Sequence, residues 1–122
     1  MVRTTLVESD IERSKRIIKR LDNSGLKFPI VFWMYDDDAD NWKLVLSRDD
    51  INKLGKRHYY KQLIDIISNS HLDDGLTITL MDSNESLIKS LKTVVTMPNS
   101  WFVGNTINGK VFPDSYLHRV NL

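Results

Sequence analysis

Cysteine is missing from all 122 residues. Its absence excludes disulfide frameworks, thiolate nucleophiles and Cys-rich zinc sites, leaving His and carboxylates as the candidate metal ligands. Glycine occurs five times and never as a phosphate-cradling loop, and no Pro-rich or low-complexity tract forms a linker. Neither charge sign dominates: 17 Lys and Arg stand against 16 Asp and Glu, a net charge of +1, so no global field steers the chain toward nucleic acid or an anionic membrane. No apolar run approaches the roughly 20 residues of a membrane span, and Met1–Asp10 lacks the apolar core of a secretion signal. A cytoplasmic protein with no membrane partner is the expectation.

What is present is a globular composition, 41% hydrophobic and 27% charged, in a chain long enough to bury about two-thirds of its unfolded surface. Residues 1–122 therefore read as a single domain. Its centre is Phe28–Ser47, where two apolar runs flank a turn containing Asp36, Asp37, Asp38 and Asp40. The run Ile30–Tyr35 is apolar on both faces of a period-2 strand and should lie in a sheet covered on both sides. Trp42, Leu44 and Leu46 share one face of its hairpin partner.

Ser9 and Glu12 have the spacing of a capping box for a helix reaching about Asn23, with Ile11, Ile17, Ile18 and Leu21 as a narrow apolar stripe and Gly25 as its terminator. Asp49 or Asp50 can cap a second helix running to about Ser70, in which Gly55 is a weak spot. Leu76–Met81 alternates as a strand. Asp82 and Glu85 repeat the capping-box spacing before a third helix carrying Leu87, Ile88, Leu91, Val94 and Val95. Trp101–Thr106 and Lys110–Phe112 are short β-prone pieces around the hairpin signal Asn108-Gly109, and Ser115–Val120 is a final strand. The order α-ββ-α-β-α-ββ(β) predicts an α+β fold: three helices on a mixed sheet of about five strands.

Three groups of residues carry candidate chemistry. Asp36, Asp38 and Asp40 have the alternate spacing with which a loop offers oxygens to a divalent cation, although Asn41 and Ser47 stand where an EF-hand loop has Gly and Glu. Arg13, Arg16 and Arg20 on the first helix, with Lys53 and Arg57 on the second, form basic faces that can neutralise phosphates, or equally coat a solvated surface. Tyr35, Asp114, Tyr116, His118 and Arg119 form a polar cluster, in which Tyr116 and His118 share a strand face opposite Arg119. An Asp114–Arg119 pair would fix the terminal strand. His58, His71 and His118 are widely spaced, and no nucleophile, metal-ligand or cofactor motif is present, so no catalytic residue and no cofactor are assigned.

The segments FWMYDDDADNWKLVLS, LGKRHYYKQLIDII and NGKVFPDSYLHRV resemble an uncharacterised family of short bacterial proteins, whose pattern reads W-x-Y, acidic turn, W-x-L, then G-P with Y, then N-G and D-x-Y-x-x-R. The matching positions are Trp33, Tyr35, Trp42, Leu44, Gly55, Tyr60, Asn108, Gly109, Asp114, Tyr116 and Arg119. Lys56 replaces the family's Pro, Pro113 its Glu and His118 its Tyr. The resemblance brings no activity with it. The reading that follows is a non-enzymatic protein-interaction or self-associating module, using a sheet edge or the aromatic terminal hairpin. The alternative is a small nucleic-acid-binding protein or metal-dependent nuclease, with Lys43 beside the hairpin carboxylates.

Overall fold

The computed structural model describes residues 6–72, 75–93, 97–103, 106–107 and 109–120. Helix α1 (Glu8–Asn23) buries Ile11, Ser14, Ile17 and Leu21, a stripe at three- and four-residue intervals. It starts directly after an extended Val7 and has no side-chain cap, so Ser9 lies within the first turn and the expected Ser9–Glu12 box is not made. Glu8 and Asp10 instead place negative charge at the helix's positive end. Gly25, at φ +84°, ends the helix as expected, and the Leu26 amide closes back on the Leu21 carbonyl at 3.0 Å.

Strands β1 (Ile30–Asp36) and β2 (Asn41–Arg48) form the anticipated antiparallel hairpin, with Trp33 opposite Leu44 and Tyr35 opposite Trp42. Both strands are buried on both faces over Ile30–Trp33 and Leu44–Ser47.

The single helix expected from Asp49 or Asp50 to Ser70 is divided into α2 (Ile51–Leu54) and α3 (Lys56–Ile67), followed by a 3₁₀ turn at Ser68–Ser70. Gly55 between them holds φ +90°, which no right-handed helix accommodates, so among the described residues four α-helices replace the expected three. Asp50 does not cap. Its carboxylate is turned to Arg48, and the Asn52 amide in the first turn of α2 is taken by Asp82 at 2.9 Å.

Asp82 ends β3 (Thr77–Asp82), which runs parallel to β2. The Asp82 amide donates to Glu85 at 3.0 Å ahead of α4 (Ser86–Lys92), while Asp82 itself accepts from the Asn84 amide. Then come β4 (Ser100–Phe102), the small ribbon of β5 (Thr106–Ile107) and β6 (Lys110–Val111), and β7 (Ser115–Val120). Val94, Val95 and Asn108 lie outside the described residues.

Among the described residues the main sheet has five strands in the order β3-β2-β1-β7-β4, with β2–β3 parallel and the other pairs antiparallel. The fold is therefore α+β with a mixed sheet, its last strand placed centrally against β1. Val31, Trp33, Leu44, Leu46, Leu80 and Tyr116 pack with Ile17 and Leu21 of α1 and Tyr59, Leu63 and Ile67 of α3. Ile30, Phe32, Val45 and Leu117 pack with Ile88, Leu91 and Phe112. In β7 the register shifts, Arg119 lying opposite Val31 and Leu117 opposite Phe32, so His118 is an extra residue in the strand. Among the described residues no helix is long and apolar enough to cross a membrane.

Candidate functional site

The β7 bulge brings His118 to α1, where its Nε2 lies 2.7 Å from Ser14 Oγ. The same oxygen accepts the Trp33 indole N–H at 3.0 Å and lies 2.7 Å from the Ile11 carbonyl, to which the hydroxyl can donate. Burial, reinforced by the positive charges of Lys15 and Arg119, lowers the His118 pKa to about 4, so at neutral pH the ring is uncharged. A serine 2.7 Å from a histidine is the geometry of a nucleophile and its base. Here Ser14 is fully buried and His118 is 5% exposed, so no substrate carbonyl can reach the pair. The network satisfies three polar side chains inside the core. Ser14 belongs to no motif; its signal in the sequence is the gap that a small polar residue leaves midway between Ile11 and Ile17 on the apolar stripe.

Of the rest of the predicted polar cluster, Tyr116 stays in ring contact with His118 and Asp114 is joined to Tyr35 through the backbone, while Arg119 turns to α1. Arg119 contacts α1 on the same side as His118, contrary to the alternation expected of a regular strand, because the bulge resets the pleat. Its carboxylate partner is Asp22, not Asp114. The backbone carbonyl of Asp114 accepts the Tyr35 amide at 2.9 Å.

The three hairpin carboxylates do not converge. Asp36 pairs with Lys43 and accepts the Asp38 and Ala39 amides, which together hold its pKa below the usual carboxylate range. Asp40 accepts the Tyr35 hydroxyl, and Asp38 is exposed at the turn. Among the described residues no three His, Asp or Glu side chains form a cation site.

The five basic residues are likewise divided. Arg13 donates to the Leu72 carbonyl at 3.0 Å and Arg20 to the Ile66 carbonyl at 2.9 Å, fastening α1 to the end of α3 and the turn beyond it. Arg16, Lys19 and Arg20 line an open groove with Asn23, Ser70 and Leu72. Lys53 and Arg57 are exposed on α2 and α3 and do not extend that groove.

The surface with the most distinctive chemistry lies at the other end of the sheet. Tyr35, Trp42, Trp101 and Tyr116 form a chain of edge-to-face ring contacts with centroid separations of 5.5, 6.0 and 5.1 Å, and His118 continues it at 5.2 Å from Tyr116. Tyr35 and Tyr116 are buried. Trp101, on the edge strand β4, is 50% exposed, and Met97 and Val103 on either side of that strand are also exposed. The rings that back Trp101 fix its orientation without covering it.

Trp42 also lines a pocket of about 140 Å³ together with Asp10, Trp33, Asn41, Gly75, Leu76 and Thr77. Asn41 Nδ2 donates to Thr77 Oγ1 at 3.3 Å, and Asn41 Oδ1 is buried with no hydrogen-bond partner. A buried carbonyl oxygen left unpaired costs about 1–3 kcal/mol.

No protein-family model, curated protein or solved structure matches the chain.

Proposed function

We propose that this protein is a non-enzymatic binding module that takes an extended segment of a partner protein along the β4 edge, with Trp101 as the anchor. The observation that carries this reading is a half-exposed indole on an edge strand, backed by Trp42 and Tyr116 and flanked by exposed Met97 and Val103. An edge strand presents unpaired backbone groups to an added strand, and an oriented aromatic side chain supplies the contact area typical of binding hot spots. The opposite edge is partly guarded, since the Tyr60 hydroxyl donates to the Ile78 carbonyl of β3 at 2.8 Å. A second copy of this chain is the poorer occupant. Pairing three-residue β4 strands about a two-fold axis offers little of the roughly 1,200 Å² that a stable specific interface buries. The inaccessibility of Ser14 and His118 supports a role without catalysis, and the lack of cysteine supports a cytoplasmic setting.

Peptides selected against the wild-type protein from an unbiased display library, with counter-selection on Trp101→Ser, test this reading. The expected result is saturable binding that Trp101→Ser weakens at least tenfold in a variant that still unfolds cooperatively. Equal binding by the variant overturns it.

A second reading rests on the groove of Arg16, Lys19 and Arg20, whose charge suits a nucleic-acid backbone. It is the weaker one, because Arg13 and Arg20 are engaged with backbone carbonyls. Binding to mixed DNA and RNA at low salt that falls steeply as salt rises is its expected signature; no binding at low salt excludes it.

A further inference from the structure

The outer surface of α2 and α3 carries positive charge that the fold leaves unanswered. From Ile51 to Ile64 the chain has Lys53, Lys56, Arg57 and Lys61 and no acidic residue. All four are exposed, and among the described residues none is in an ion pair. Elsewhere the cations serve the structure: Arg13 and Arg20 hold backbone carbonyls, and Lys43, Arg48 and Arg119 hold carboxylates. The α3 charges do not stabilise their own helix. Lys56 and Arg57 stand in its first turn, which contains no acid and has no side-chain cap, so the positive end of the helix dipole repels them. The next carboxylate, Asp65, lines a separate recess with Ser24, Gly25 and Gln62.

Periodicity sorts the α3 side chains into two faces. Tyr59, Leu63 and Ile67 recur at four-residue intervals and are buried, whereas Arg57, Lys61 and Ile64, at i, i+4 and i+7, form a stripe turned to solvent. Ile64 on that stripe and Leu54 at the end of α2 are each more than half exposed. A second copy of this chain is a poor occupant, because its identical face repeats the same charges. Nucleic acid is poorly served too: a phosphate backbone gains nothing from aliphatic side chains, Tyr59 is buried, and the Tyr60 hydroxyl is committed to the Ile78 carbonyl. Two aliphatic residues with no exposed aromatic beside them also fall short of the broad apolar face with which interfacial helices enter a membrane. From the juxtaposition of Lys53, Lys56, Arg57 and Lys61 with exposed Leu54 and Ile64, we infer that the α2–α3 surface docks an acidic segment of a partner protein that carries aliphatic residues between its carboxylates. The carboxylates pair with the four cations, and the aliphatic side chains lie against Leu54 and Ile64. This surface is independent of the β4 edge, and the inference does not rest on the edge-strand reading.

The test offers the full chain to an unbiased peptide-display library, with counter-selection on a protein carrying Arg57→Glu and Lys61→Glu. The expected result is enrichment of peptides in which Asp or Glu flanks aliphatic residues, with saturable binding that weakens as salt rises. Affinity should fall at least tenfold for the double variant, for Ile64→Ser, and for peptides whose Asp and Glu are replaced by Asn and Gln. Trp101→Ser should leave it unchanged. Arg57→Glu puts an acid in the first turn of α3, so its melting temperature should not fall, and binding lost from a protein of undiminished stability separates recognition from a structural role. Phosphatidylserine vesicles and mixed DNA and RNA are tried against the same variants. Selection that returns no acidic–aliphatic peptides, binding that survives the amide replacements or the double variant, or Lys61-dependent binding of vesicles or nucleic acid in place of peptide overturns the inference.

Discussion

Arg119 grips Asp22 with both ends of its guanidinium, Nη1 and Nη2 each 2.9 Å from a different carboxylate oxygen. Its Nε donates to the Phe28 carbonyl at 2.8 Å, so one side chain ties the last strand to the first helix and to the entry of β1. Lysine cannot reproduce this planar fork. Arg119→Lys is expected to lower stability by about 1–2 kcal/mol, and a double-mutant cycle with Asp22→Asn should show coupling between the two positions. The hydrogen bonds from Arg119 hold the Asp22 carboxyl below its ordinary pKa. This contribution is present above the ordinary carboxylate pKa and is lost as pH falls through the depressed one. Additive single-mutant effects in denaturant unfolding would count against the clamp.

His118 should make stability depend on mildly acidic pH. Its ring is neutral in the folded protein because its pKa falls from 6.5 to about 4, whereas the unfolded chain takes up a proton near 6.5. Stability from this group is complete above about 6.5 and declines as pH drops from there toward about 4. Urea midpoints for wild type and His118→Gln measured from pH 7.5 to 4.5 check the sign. The wild type should lose more stability over that interval, and parallel curves would contradict it.

Trp33 lies at the heart of the helix-facing core and is 1% exposed. Trp33→Ala should cost about 3–5 kcal/mol through lost burial and the cavity left behind. Ser14→Ala, which removes far less volume, should still cost about 1–3 kcal/mol because it strands the indole N–H. Chemical denaturation of both variants measures these values, and an unchanged midpoint for Trp33→Ala would refute the packing described.

Gly55 has room for a methyl group, with nothing within 4 Å of the Cβ position, and yet holds φ +90°. Gly55→Ala should therefore destabilise by about 1 kcal/mol or more through backbone strain alone. A stabilised variant would show that α2 and α3 can merge into the one helix that their sequence suggests.

The hairpin, the α+β class and the core residues Ile30, Phe32, Trp33, Leu44 and Leu46 were legible because period and burial coincide there. The helix break was legible only as a weak spot, since a lone glycine in an apolar repeat does not declare its φ. The polar partnerships were illegible for a clearer reason. Ser14–His118 and Asp22–Arg119 join positions some 100 residues apart through a bulge that no local pattern specifies. Carboxylates and arginines that looked available, Asp36, Arg13 and Arg20 among them, are engaged by Lys43, turn amides and helix-end carbonyls. In the pocket, Asp10 and Asn41 are drawn together by the meeting of α1 with β2, which spacing alone cannot reveal.

If β4 accepts an added strand beside Trp101, amide hydrogen exchange across the protein, with and without a selected peptide, will report it. Exchange should slow at Ser100–Phe102, with no change of comparable size along the groove of Arg16, Lys19 and Arg20. Protection at that groove with β4 exchanging as in the free protein would contradict it.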